Sequence, residues 1–99
     1  MYIFVDKNLS PNIVQFDKIV RSFDDFKVIV NNTPINFMSI NYEVDENTKS
    51  TDVIKYLKTH NIHIPFINIH TTNSVARSNT RAMIKRYLPN TIITFIKNI

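Results

Sequence analysis

The sequence contains neither cysteine nor glycine, and each absence excludes a class of site. Without cysteine the chain has no disulfides, no thiolate nucleophile and no cysteine-ligated zinc. Without glycine it cannot form a phosphate loop that needs glycines for close backbone approach, and turns that require a positive φ must use Asn or Asp. The apolar runs are short and interrupted. We therefore expect no membrane span and no N-terminal signal sequence, and we predict an intracellular protein.

Acidic residues are absent from the second half of the chain. Residues 53–99 contain seven Lys or Arg and no Asp or Glu, whereas residues 1–52 contain eight acids and five bases. The formal net charge is +4. A basic half-chain is suited to binding phosphates or an acidic partner surface.

The 99 residues form one domain, residues 1–99, in which predicted strands alternate with predicted helices. Alternation at this spacing predicts an α/β fold with a parallel sheet in the order 2-1-3-4-5 and helices on both faces. The predicted strands are Tyr2–Val5, Phe16–Val20, Ile35–Ile40, a strand after Pro65, and Ile92–Ile96. Helices are predicted after Ser22, after Ser50 or Thr51, and after Asn73, with a further short helix that is capped by Ser10 and begins at Pro11.

One strand-loop-helix segment, residues 66–88, points to a site. An apolar strand ends at His70, and Thr71, Thr72 and Asn73 lead into a helix for which Asn73 is a good N-cap. Free backbone N–H groups and the helix dipole at such a position attract anions. A single His at a strand end is more often structural than catalytic, so that alternative stays open.

The helix after Asn73 shows two stripes at helical spacing. One is predicted to pack against the domain, and it consists of Val75, Asn79, Met83 and Tyr87. The other is wholly basic and consists of Arg77, Arg81 and Lys85. The basic stripe is either solvated surface or part of an anion-binding surface.

In a sheet of order 2-1-3-4-5, the C-terminal ends of the first, third and fourth strands converge. This topology brings together Asp6, Asn41 or Glu43, and His70 as one group of polar side chains.

With those strand ends identified, the chain resembles the cyclic-phosphate processing receiver domain family, whose members are often encoded by phages. The matching segments keep their order and spacing along nearly the whole chain. They are residues 5–11 (VDKNLSP), 20–26 (VRSFDDF), 39–44 (SINYEV), 49–52 (KSTD) and 70–79 (HTTNSVARSN). The resemblance implies a receiver-like, Rossmann-like domain from a phage or virus, located in the cytoplasm of the host cell.

The departures from the family pattern fall on its acidic residues. Lys7 replaces an acid, Leu9 an arginine, and Asn41-Tyr42-Glu43 the family's D-H-D. Hard divalent cations need several oxygen ligands with negative charge, so we expect no metal or other cofactor, although Mg²⁺ or Mn²⁺ is the ion that the family pattern would accommodate.

Two functions from different classes follow. In the first, the domain is an enzyme, a hydrolase or phosphotransferase acting on cyclic phosphates of nucleotides or RNA ends. His70 would then be the general acid or base, and Asp6 and Glu43 would position water or a weakly bound metal. In the second, which the lost acids favour, the domain is a pseudoenzyme that binds a phosphate-bearing ligand such as a nucleotide or nucleic acid, or an acidic host protein. The residues predicted to bind phosphate in either case are Thr71, Asn73, Arg77, Asn79 and Arg81.

Overall fold

A computed structural model describes all residues, 1–99, as a five-stranded sheet with three helices. The strands are β1 (Tyr2–Val5), β2 (Lys18–Val20), β3 (Phe37–Ile40), β4 (Phe66–Ile69) and β5 (Ile92–Thr94), and the helices are α1 (Phe23–Asn32), α2 (Ser50–Thr59) and α3 (Ser74–Tyr87). All neighbouring strands are parallel, in the order β2-β1-β3-β4-β5. The predicted fold class and strand order are confirmed.

The predicted helix starts are set by local hydrogen bonds. The Ser22 side chain accepts a hydrogen bond from the Asp25 amide and caps α1. The α2 helix begins one residue earlier than a Ser50 cap would place it, because Lys49 is the cap and its amide donates to the Asp52 side chain. Asn73 caps α3 as predicted.

The main hydrophobic core lies between one face of the sheet and the three helices. Strand residues such as Val5 and Ile67 contribute from the sheet, and all three helices contribute to the same cluster of 16 buried residues. From the helices it takes Phe26, Val30, Val53, Ile54, Leu57 and Ile84. The apolar residues of α1 and α2 in this cluster therefore face the sheet.

The opposite face of the sheet, here called the second face, has no helix on it. The alternate residues of the same strands point to this side, among them Phe4, Ser39 and Asn68. It is covered by irregular chain: Phe16, from the β1–β2 connection, packs on Phe4, and the C-terminal carbonyl of Ile99 accepts hydrogen bonds from that connection.

The prediction of helices on both faces is thus met on one face only. The short helix predicted to begin at Pro11 is not formed. The crossovers β2-α1-β3, β3-α2-β4 and β4-α3-β5 all run in the same direction across the sheet, so right-handed connections place all three helices on one side. The connection from β1 back to β2 passes over the other side and contains no helix. Instead, the Arg21 guanidinium holds it by donating to the carbonyls of Asp6 and Leu9.

Half of the packing stripe predicted for α3 is wrong: Met83 and Tyr87 pack against the core as predicted, but Val75 and Asn79 do not. Ala76, Thr80 and Ile84 are the buried positions, whereas Val75 is 67% exposed and Asn79 is exposed. The structure buries Thr80 because its hydroxyl has partners there, the Ala76 carbonyl and the Ser50 hydroxyl, each at 2.8 Å. A threonine hydrogen-bonded in this way can occupy a core position that a hydrophobicity pattern would not assign to it.

The N-terminal half of the second face carries an apolar row that spans four strands. Tyr2, Phe37, Phe66 and Ile92 are paired in register, and three of the four side chains are exposed. Parallel sheets are usually covered on both faces, so this row is an unusual feature of the surface. None of the helices is both long and apolar enough to cross a bilayer.

Candidate functional site

The Asp6 carboxylate lies at the C-terminal end of β1 and is 1% exposed. Its Oδ1 accepts hydrogen bonds from the amides of Asn8 and Leu9, and its Oδ2 lies 2.8 Å from His70 Nε2. Burial raises the pKa of Asp6, but the hydrogen bonds from His70, Leu9 and Asn8 outweigh that effect. The pKa of Asp6 is therefore lowered from its usual 3.8, and the group is a carboxylate at neutral pH.

His70 is 3% exposed, and both of its ring nitrogens have protein partners. Nε2 faces Asp6, and Nδ1 lies 2.7 Å from the Ser39 hydroxyl. One face of the ring stacks on Phe4 at 4.5 Å between centroids and 9° between planes. His70 is thus fixed in orientation from three directions.

Ser39 and Asn68 complete this network, and the sequence analysis did not single them out. The Asn68 amide nitrogen donates to Ser39 Oγ and to the Ile96 carbonyl, while its oxygen accepts from the Ile96 amide and the Thr94 hydroxyl. The sequence does contain a signal for them, since Ser39 and Asn68 are the polar residues inside two short apolar strands. Each lies two residues before a strand-end residue, Asn41 or His70, and therefore on the same face of the sheet. Buried strand residues of this kind must find hydrogen-bond partners on their own face of the sheet.

A crevice of about 330 Å³ lies beside His70, between the ends of β3 and β4 and the start of α3. We call this the crevice. Its walls are formed by Leu9, Asn41, Tyr42, Glu43, His70, Thr71, Thr72, Asn73 and Ala76. Asn41, Glu43 and His70 therefore converge, as the strand order predicts. Asp6 contacts His70 but does not line the crevice, because its carboxylate is enclosed by the backbone of the loop that follows β1.

Glu43 is the acidic residue of the crevice wall, and its side chain is half exposed. Its carboxylate lies 4.0 Å from the Lys49 ammonium, which reduces the negative charge that it presents to a ligand. No group of three or more His, Asp or Glu side chains is arranged so as to hold a metal ion. Whether Mg²⁺ or Mn²⁺ binds here stays a prediction for experiment.

The first turn of α3 forms one side of the crevice. The Asn73 side chain accepts from the Ala76 amide, and the Asn73 carbonyl accepts from the Arg77 amide. The amides of Ser74 and Val75 lie in the first turn, where no helix carbonyl is in reach, and they have no protein partner. Thr71, which is buried, accepts from the Asn73 amide at 3.4 Å. These groups fit a negatively charged oxygen better than a cation.

Three of the predicted phosphate-binding residues lie outside the crevice. Arg77 is half-buried in the second turn of α3, and Asn79 and Arg81 are exposed further along the helix. Arg81 and Lys85 flank a separate, open groove beside β5 that also includes Phe95. The structure therefore brings Thr71 and Asn73 to His70, and it places Asn79 and Arg81 elsewhere.

Comparison with known proteins gives one match. The family model described as the cyclic-phosphate processing receiver domain matches residues 1–86. No curated protein and no solved structure matches the chain. The match includes every residue that lines the crevice.

Proposed function

The chain belongs to the cyclic-phosphate processing receiver domain family, and on that premise we propose that it is a degenerate member that binds a phosphate-bearing ligand in the crevice. The observation that carries the proposal is the α3 end of the crevice. There the hydroxyl residues Thr71 and Thr72 line the crevice, and the amides of Ser74 and Val75, which have no protein partner, follow them in the chain at the start of α3. A phosphate oxygen can accept hydrogen bonds from all of these donors, and the helix dipole adds a favourable field.

Binding without turnover is favoured because the groups that would hold a metal are missing or occupied. Both Asp6 oxygens already accept hydrogen bonds, and the side chain is buried. Asn41 is neutral, and Lys7, adjacent to Asp6 in the chain, repels a cation. Only Glu43 offers an acidic oxygen at the crevice wall, whereas a hard divalent cation needs several.

An enzymatic function is the alternative, and the Asp6–His70 pair is the observation that favours it. A histidine hydrogen-bonded to a carboxylate is a common general acid-base arrangement. In this function the domain would hydrolyse or transfer a cyclic phosphate of a nucleotide or RNA end. His70 would have to release one of its two partners to exchange a proton with a substrate, since both ring nitrogens are occupied.

The resemblance also supports a phage or viral origin and a regulatory role in the host cytoplasm. In that setting the ligand would be a host nucleotide or nucleic acid, or an acidic surface of a host protein. The exposed Arg81 and Lys85 side chains would add long-range attraction to either partner, and that attraction is reduced by salt.

The binding proposal can be tested by titrating the ¹⁵N-labelled protein with a 2′,3′-cyclic nucleotide and following backbone amide shifts. We expect the largest changes at Thr72, Ser74 and Val75. Thr72→Glu places a negative charge at the crevice wall without touching the core, so it should weaken binding about tenfold, equivalent to roughly 1.4 kcal/mol. Thr59→Glu makes the same charge change at the exposed end of α2 and should leave binding unchanged.

Two results would contradict the proposal. One is the absence of any shift at these amides at millimolar nucleotide, and the other is equal weakening by both Glu variants. The same sample separates binding from turnover. Phosphorus NMR with Mn²⁺ added should show the cyclic phosphate intact, whereas ring opening that Asp6→Ala abolishes would establish the enzymatic alternative.

A further inference from the structure

We propose that Asn68 and Ser39 are positioning residues that hold His70 in a single neutral tautomer, with its proton on Nε2. The four side chains Asn68, Ser39, His70 and Asp6, here called the polar relay, are joined by hydrogen bonds of 3.0, 2.7 and 2.8 Å. All four are buried. The proposal concerns the protein without a ligand, and it holds whether or not the crevice binds phosphate.

The direction of the polar relay is set at Asn68. Its side-chain oxygen faces the Ile96 amide at 2.8 Å, which can only donate, and accepts from the Thr94 hydroxyl at 2.7 Å. The Asn68 nitrogen therefore points the other way, where it donates to the Ile96 carbonyl and to Ser39 Oγ. A carboxamide with all its groups engaged in this way cannot rotate without losing several hydrogen bonds.

Ser39 transmits this direction to the imidazole. Because its oxygen already accepts from Asn68, its own hydrogen is free to be donated, and His70 Nδ1 is the atom in reach. Nδ1 is then an acceptor, so the ring proton is on Nε2, where it is donated to the Asp6 carboxylate. Each of the three hydrogen bonds that join the polar relay is donated in the direction of Asp6, and no buried polar side-chain atom lacks a partner.

The polar relay connects two segments of the chain that cover the second face. Asp6 anchors the loop after β1 through the amides of Asn8 and Leu9. Asn68 anchors the C-terminal segment through both peptide groups of Ile96. His70 lies between them, in the common wall of the crevice and of a cavity of about 210 Å³ formed by residues 9–12 and 97–99. His70 therefore acts as an anchor for both segments, with neither nitrogen free for a ligand.

The tautomer can be measured directly by long-range ¹H–¹⁵N NMR of the histidine rings at neutral pH. We expect a pyridine-type resonance for Nδ1 of His70 and a pyrrole-type resonance for Nε2. The exposed ring of His63 provides the reference, since it should show rapidly averaged shifts. A pyrrole-type Nδ1 in His70, or an averaged pair of resonances, would overturn the proposal without any variant.

A pair of serine variants tests the role of Ser39. Ser39→Ala removes the donor to Nδ1, so the Nδ1 resonance should move towards that of a pyridine-type nitrogen without a hydrogen bond, and Ser39→Thr should restore it. Ser50→Ala is the matched control: it also removes a fully buried serine hydroxyl, one bonded to Thr80 at 2.8 Å, but on the helix side of the sheet. It should leave the His70 resonances unchanged.

Equal effects of Ser39→Ala and Ser50→Ala on the His70 ring would show that general loosening, and not the lost donor, is responsible, and would overturn the assignment. An unchanged Nδ1 resonance in folded Ser39→Ala would do the same.

Discussion

Replacing the Asp6 carboxylate by a carboxamide should destabilise the protein strongly at neutral pH and only weakly in acid. In the wild type both carboxylate oxygens accept hydrogen bonds, from His70 Nε2 on one side and from the Asn8 and Leu9 amides on the other. Asp6→Asn keeps one acceptor oxygen and sets an NH₂ group against the remaining donor or donors. At least one buried donor then has no partner.

The size of the effect follows from the hydrogen bonds that this substitution removes. Hydrogen bonds to a charged group contribute roughly 1.5–3 kcal/mol each, and an unpaired buried donor adds a desolvation cost. We therefore expect the free energy of unfolding to fall by about 3 kcal/mol in Asp6→Asn. The matched control is Asp24→Asn, whose carboxylate is 96% exposed and lies 4.0 Å from Lys27. Such a surface substitution should change the free energy of unfolding by less than about 0.5 kcal/mol.

The pH dependence gives the sharper test. Because the pKa of Asp6 is lowered on folding, its stabilising contribution is complete above the unfolded value of 3.8 and disappears as the pH falls through the lower, folded value. Urea unfolding followed by circular dichroism should show the wild type and Asp6→Asn converging in stability as the pH is lowered from neutral to below about 4. A stability difference that is constant over this range, or below about 0.5 kcal/mol at neutral pH, would refute the reasoning.

Three further predictions concern the core, the basic surface and the lost acids. Phe26→Ala removes a fully buried ring and should lower the free energy of unfolding by about 3–5 kcal/mol in urea melts; a decrease below about 1 kcal/mol would contradict the facing of α1. Arg77→Ala and Arg81→Ala should weaken binding of an anionic partner without changing the melting temperature, and raised salt should weaken binding in the same way. Binding that is insensitive to the substitutions and to salt would show that the basic stripe does not contribute to it. Lys7→Asp combined with Asn41→Asp should create measurable Mn²⁺ affinity in calorimetry, because carboxylate count sets affinity at such sites; an inert double variant would contradict the convergence of these strand ends.

The sheet was predictable because each of its strands is a short apolar run bounded by turn residues, and because parallel order follows from the helices between them. The covering of the second face was harder to predict. Residues 7–17 include Pro11 and a capping residue type at Ser10, a pattern typical of a helix start, yet the chain there is held by Arg21 instead. A guanidinium bonding to carbonyls that are distant in sequence leaves no trace in local periodicity.

The buried positions of α3 also depend on a contact that is distant in sequence. Its hydrophobic pattern favours Val75 as an inward position over Thr80, but the Ser50 hydroxyl offers Thr80 a partner in the core. The Asn73 cap was predictable because it depends on residues three positions apart. The contact of Asp6 with His70 was predictable from topology alone, since both follow strands whose C-terminal ends converge.

The Asp6–His70 pair can therefore be explained without catalysis. A parallel sheet whose second face lacks helices needs another way to hold its covering segments, and the buried polar side chains on that face supply it through directed hydrogen bonds. The geometry of the pair is consistent with an anchor as well as with an acid-base pair. Function in this chain is then better inferred from the crevice and the start of α3 beside it, where the Thr72 hydroxyl and the Ser74 and Val75 amides have no hydrogen-bond partner in the protein. If this reasoning is correct, His70→Gln should disturb the loop after β1 and the segment around Ile96 more than it disturbs nucleotide-induced shifts at those three residues.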